Sequence, residues 1–123
     1  MTIEELIIYG KKYISSTETK ILLGKATGYD SLELINHLNE TISSEKEQEF
    51  KKLIKIRMNN KPTQYITNST CFYGLDLYVD ENVLIPRFET EELVENTLKI
   101  INNQINNPKV LDLCWFIIHS NFY

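Results

Sequence analysis

Pro62 divides this sequence into two stretches of different periodicity, and that change constrains the fold more than any other feature. Before it, apolar residues recur at helical spacing. After it come short segments rich in Tyr, Phe, Thr, Ile and Val, separated by turn residues. Proline has no amide hydrogen to give a continuing helix, so the helix approaching Pro62 must stop. The chain is therefore expected to be α+β, with a small helical bundle first.

Helix starts in the first stretch are marked by Thr2-x-x-Glu5, Asp30-x-x-Glu33 and Ser44-x-x-Glu47, the spacing at which a cap oxygen and a downstream carboxylate satisfy each other's backbone amides. The first predicted helix carries Ile3, Leu6, Ile7, Tyr13 and Ile14. A second, opened by Ser16 or Thr17, carries Ile21, Leu22 and Leu23 and ends near Gly24 or Gly28. A third carries Leu32, Leu34, Ile35 and Leu38. The fourth runs from Ser44 to about Asn59, with Phe50, Leu53, Ile54 and Met58 on one side and Lys51, Lys52 and Lys55 towards solvent.

Beyond Pro62, strands are predicted near 64–67, 71–73 and 75–79, with 83–85 extended into Pro86. Tyr65, Phe72, Tyr73 and Tyr78 read as hairpin packing. A helix then begins around Glu89; Glu89, Glu91, Glu92 and Glu95 suit its positive N-terminal end. Leu93, Val94, Leu98, Ile101 and Ile105 form its expected buried stripe, Asn106-Asn107-Pro108 its stop, and 110–113 a buried strand. Helix, turn and apolar strand ending in Asp112 are how the first unit of an open α/β sheet begins. The chain then finishes as Cys114-Trp115-Phe116-Ile117-Ile118-His119-Ser120-Asn121-Phe122-Tyr123, without glycine and apolar enough to self-associate.

Charge and composition exclude several classes of function. Thirteen Lys plus Arg stand against seventeen Asp plus Glu, a net charge of −4, with no dense basic block, which disfavours nucleic acid and anionic membrane surfaces. The start is acidic where a secretory signal is basic, and no apolar run approaches the roughly 18 to 20 residues that span a bilayer, so a cytoplasmic location is expected. Cys71 and Cys114 are far apart and His37 and His119 lack neighbouring ligands, so no metal site is expected. Cys71 reads as a half-buried strand cysteine rather than a nucleophile.

One constellation is specific. Asn60-Lys61-Pro62-Thr63-Gln64-Tyr65-Ile66-Thr67, then Phe72-Tyr73-Gly74-Leu75, Val79, and Val83-Leu84-Ile85-Pro86-Arg87-Phe88-Glu89-Thr90-Glu91-Glu92-Leu93-Val94-Glu95, resembles the HemK/PrmC family of release factor glutamine methyltransferases. That resemblance implies a small helical domain at 1–61, a β-hairpin linker at 62–86 and the start of a Rossmann-like methyltransferase domain at 87–114, leaving 115–123 as an aberrant tail. It also implies S-adenosylmethionine as methyl donor and a peptide chain release factor as partner, modified on the glutamine of its Gly-Gly-Gln loop. Arg87, Glu89, Thr90 and Asp112 fall where the family approaches its cofactor. The alternative reading of the first three is local: Arg87 pairing with a carboxylate, Glu89 complementing the helix dipole and Thr90 capping the helix.

The sequence departs from the family in three places. Asn68 stands where glycine is common, a tolerable change because asparagine reaches positive φ more readily than most residues. Phe88 replaces a frequent proline. Trp115, Phe116, Ile117 and Ile118 occupy the glycine-rich turn that lets the family's backbone approach the cofactor, and no Asn-Pro-Pro-Tyr occurs. The expectation is a truncated or frameshifted member with no catalytic residue of its own, inactive by itself and not binding S-adenosylmethionine. Three classes stay open: methyltransferase, helical binding module for release factor, and a gene fragment without function. Local disorder or self-association is expected from about Glu89 onwards.

Overall fold

The computed structural model describes residues 1–104 together with 107, 109 and 111. Among them the chain is α+β, with six helices and one two-stranded antiparallel sheet. It divides into two compact units, the first Met1–Thr67 and the second beginning at Asn68.

The first unit is built on capped helices. In α1, Ile3–Gly10, Thr2 and Glu5 satisfy each other's backbone amides, and Ile3, Leu6, Ile7 and Gly10 face inward at i, i+3, i+4 and i+7. The helix stops short of Tyr13 and Ile14, which its apolar spacing includes. Lys12 to Ile14 form turns on Tyr9 and Gly10 instead, because the next helix is capped only one residue further on. A Cβ at Gly10 would lie 2.5 Å from Thr19 Cγ2 and 3.1 Å from Phe50 Cζ, so this glycine sets how closely the helices approach.

In α2, Ser16–Thr27, the cap is Ser15 with Glu18, one residue before the expected start, and Gly28 closes the helix at φ 83°. Leu22 and Leu23 are buried while Ile21 is exposed. The buried hydroxyls of Thr19 and Thr27 donate to the carbonyls of Ser15 and Leu23, four residues back, at 2.9 and 2.8 Å. α3, Ser31–Asn36, has the expected Asp30–Glu33 capping box, but it buries only Leu34 and ends before Leu38. The segment behind it satisfies the open end of α1: the Ile3 and Glu4 amides donate to the carbonyls of Glu40 and Leu38, both at 3.0 Å.

α4, Ser44–Met58, is capped by Ser43 rather than Ser44, which puts Lys46 instead of Glu47 at the third helical position. Glu47 is left to accept from Lys51 Nζ at 2.6 Å. Phe50, Leu53 and Ile54 are buried as expected, but Met58 in the last turn is exposed. The strand expected at 64–67 is instead the short helix α5, Thr63–Thr67. Its composition suits a strand, yet Thr63 and Ile66 are both buried, a spacing of three that only a helix puts on one side. Ile66 joins one core with Ile3, Leu6, Leu22, Leu23, Leu34, Phe50 and Ile54, so burial overrides β-propensity here.

The second unit opens with a hairpin of β1, Ser69–Phe72, and β2, Leu75–Tyr78, with Ser69 opposite Tyr78 and Phe72 opposite Leu75. Tyr73 belongs to the turn, not to a strand. It and Gly74 take φ 48° and 75°, the two positive angles of the tight turn that matches strand twist. Asn68 takes φ 56°, in keeping with its standing where glycine is common, and its Nδ2 donates to the Val79 carbonyl at 3.1 Å. Tyr65 is in α5 and not in the hairpin, and Cys71 is exposed rather than half-buried. Residues 83–85 form no strand.

α6, Phe88–Gln104, is formed. Its expected buried stripe is not buried: Leu93 is 66% and Leu98 39% exposed, while Val94 and Ile101 are half-buried. A two-stranded hairpin, the one sheet among the described residues, is too small to cover a helix of seventeen residues. Ile105, Asn106, Pro108, Asp112 and the tail from Cys114 lie outside the described residues, as does the strand expected at 110–113 apart from Leu111, which is exposed.

Candidate functional site

A polar cluster in the first unit joins three helices at Glu18. Arg57 Nε, from the last turn of α4, donates to Glu18 Oε1 at 2.6 Å, and Thr63 Oγ1, opening α5, donates to the same oxygen at 3.2 Å. Glu18 Oε2 accepts from Ser15 Oγ at 2.8 Å and from the Ser15 amide at 3.2 Å. One carboxylate thus caps α2 and ties it to the end of α4 and the start of α5. The Arg57 guanidinium, followed by the Ser15 hydroxyl, holds Glu18 far below the usual carboxylate range, at about 2. Such a group neither gives nor takes a proton near neutral pH, so it serves position rather than acid–base chemistry.

Beside this cluster lies an open groove of about 440 Å³, lined by Tyr13, Ile14, Glu18, Arg57, Met58 and Asn60. Its walls arise from local structure. Tyr13 and Ile14 sit in the turn after α1, and Asn60, at φ 64°, reverses the chain after α4. Sequence reasoning marks none of Glu18, Arg57 or Asn60 as a site residue. Ser15-x-x-Glu18 has capping-box spacing, and Arg57 is one of two arginines in a lysine-rich chain; those are the signals that point to them.

The residues that sequence reasoning does mark lie in the second unit. Arg87, Glu89 and Thr90 are all exposed where α6 begins, and the Thr90 amide donates to the Arg87 carbonyl at 3.0 Å. Thr90 is the third residue of the helix and not its cap, and among the described residues Arg87 makes no ion pair. Glu89 stands in the acidic first turn as expected. Asp112 lies outside the described residues. A cofactor of the size of S-adenosylmethionine is held by burying most of its surface, and three exposed side chains on one helical turn supply no such cradle by themselves. Among the described residues no three His, Cys, Asp or Glu side chains are grouped to hold a metal ion.

The PrmC N-terminal domain family matches residues 12–67, which takes in Glu18, Arg57 and Thr63 and ends where the first compact unit ends. Over residues 12–67 the chain is similar to the PrmC N-terminal domain. It is also similar to the release factor glutamine methyltransferase of Leptospira interrogans, 39% identical over 106 residues, covering 85% of this chain and 37% of the relative. Against that of Clostridium botulinum it is 35% identical over 121 residues, 93% of this chain and 42% of the relative. Against that of Streptococcus pneumoniae it is 46% identical over 77 residues, 62% of this chain and 27% of the relative. The chain thus spans about two fifths or less of the length of these curated relatives. The matched segment supplies most of the core, to which Ile3, Leu6 and Ile7 of α1 add from outside it, and the hairpin and α6 belong to the further similarity. No described helix is long and apolar enough to cross a membrane.

Proposed function

We propose that this chain is the release-factor-binding part of a glutamine methyltransferase, and that the 123-residue polypeptide does not transfer a methyl group by itself. The observation that supports this reading is the coincidence of the PrmC N-terminal domain match with a capped, fully cored helical unit. In the reaction of the relatives' name, a bond forms between the glutamine amide nitrogen and the methyl carbon while the carbon–sulfur bond of S-adenosylmethionine breaks; the nitrogen gives up a proton. An amide nitrogen is a poor nucleophile, so the reaction requires acceptors aimed at the charge it develops and a fixed in-line approach.

Neither is assigned to this chain. Its sequence has no Asn-Pro-Pro-Tyr, and Trp115 to Ile118 replace the glycine turn. Arg87, Glu89, Thr90 and Asp112 are assigned to the cofactor side of a longer enzyme, where further strands would enclose them. The partner is a peptide chain release factor met in the cytoplasm, and the apolar stripe on α6 makes self-association of this polypeptide the expected side reaction.

Incubation with unmethylated release factor and methyl-labelled S-adenosylmethionine tests the catalytic half of the proposal. No label on the Gly-Gly-Gln loop is the expected result, with a full-length relative as positive control. Label transfer, or saturable S-adenosylmethionine binding in calorimetry, would overturn it. A folded chain that binds no release factor fits instead a fragment without a role.

A further inference from the structure

Hydrogen-bond capacity around the groove beside Glu18 is used unevenly, and this bears on the reading of the helical unit as a protein-binding part, on which the inference here rests. Both Glu18 oxygens are already occupied, Oε1 by Arg57 and Thr63 and Oε2 by Ser15. Arg57 spends only Nε on Glu18. Among the described residues its two terminal nitrogens have no partner, and neither does the side-chain amide of Asn60. The groove therefore offers a fork of donors from Arg57 and an exposed amide, donor and acceptor together, from Asn60. The apolar parts of its wall are Tyr13 and Met58, both exposed, and the half-buried Ile14.

The chemistry that fits this wall is a peptide unit next to an apolar side chain. Its carbonyl accepts from Arg57, its N–H donates to the Asn60 oxygen, and the side chain lies on Tyr13 and Met58. Arginine, tyrosine and methionine are also the residue types enriched where proteins meet. With Glu18 neutralising Arg57 and the chain carrying a net charge of −4, a neutral acceptor fits better than a carboxylate. We propose that the groove formed by Tyr13, Arg57, Met58 and Asn60 docks an extended, uncharged segment of the partner protein through its backbone.

The test uses the whole chain, labelled with ¹⁵N, and N-acetyl-leucine N-methylamide as probe. Saturable shifts at the Arg57 Nε–H, the Asn60 side-chain amide and the Met58 backbone amide are expected, and Arg57→Lys and Asn60→Ala should abolish them. Because Met58 is exposed, Met58→Ala should weaken the probe without touching the fold. Shifts that grow linearly without saturating, or that persist in all three variants, overturn the proposal. Release factor binding should weaken about tenfold or more in Arg57→Lys and Asn60→Ala; binding that stays at the wild-type level also overturns it. A groove that saturates with the probe in a chain that binds no release factor supports the groove and refutes the release factor reading alone.

Discussion

Arg57 Nε lies 2.6 Å from Glu18 Oε1, across 39 residues of sequence, and this one contact joins the last turn of α4 to the cap of α2. Thr63 adds the start of α5 to the same carboxylate oxygen. Because the pair is about one quarter exposed, it is screened, but it is not a free surface pair.

Removing the guanidinium while leaving the carboxylate strands a partly buried charge. Arg57→Ala is expected to cost about 1.5–3 kcal/mol in urea unfolding, the range of hydrogen bonds to charged groups. Glu18→Gln retains the capping geometry and should cost less. A double-mutant cycle with no coupling between the two positions would contradict the assignment.

Glu18 also makes stability depend on pH. In the folded chain it stays ionised down to about pH 2, whereas unfolded it protonates near the ordinary carboxylate value of 4.5. Its contribution is present above that unfolded value and is lost as pH falls through the folded one. The unfolding free energy from urea titrations should fall between about pH 4.5 and pH 2, by on the order of 2 kcal/mol after screening. Glu18→Gln should flatten that part of the profile, and an unchanged slope would contradict it.

Gly10 faces Thr19 Cγ2 at a distance no real Cβ tolerates. Gly10→Ala is expected to destabilise by about 1–3 kcal/mol through overpacking, less roughly 1 kcal/mol regained from helix propensity. Thr19→Ser removes the offending methyl but keeps the hydroxyl that bonds the Ser15 carbonyl. The double variant should therefore be more stable than additivity predicts, by thermal melting.

Tyr73 occupies a left-handed position that asparagine takes more cheaply. Tyr73→Asn, which creates the Asn-Gly pair most favoured in such turns, should raise amide protection across Thr70 to Leu77. Lower protection would mean that the Tyr73 ring, rather than the turn, holds the hairpin.

Where local chemistry decides structure, the sequence is a good guide. Thr2, Asp30, Gly28 and Asn68 each do what their side chains or backbone freedom favour. Ser15 has a capping-box partner in Glu18 that Ser16 lacks, whereas Ser43 caps α4 although Ser44 is the one with a glutamate at box spacing, so the box spacing decides the first start and not the second. The segment after Pro62 misleads because Thr, Tyr and Ile suit strands, while burial of Thr63 and Ile66 requires a helix. The α6 stripe points to a cover that the hairpin is too small to give. The Glu18–Arg57 pair is long-range, and no periodicity reports which distant side chains meet.

Whether the helical unit meets release factor is tested most directly by titrating unlabelled, unmethylated release factor into the ¹⁵N-labelled chain. Saturable changes concentrated in residues 1–67, strongest around Tyr13, Arg57 and Asn60, are predicted. No change in those resonances as release factor is raised to its solubility limit, or changes confined to residues beyond 67, would contradict a release-factor-binding role for this unit.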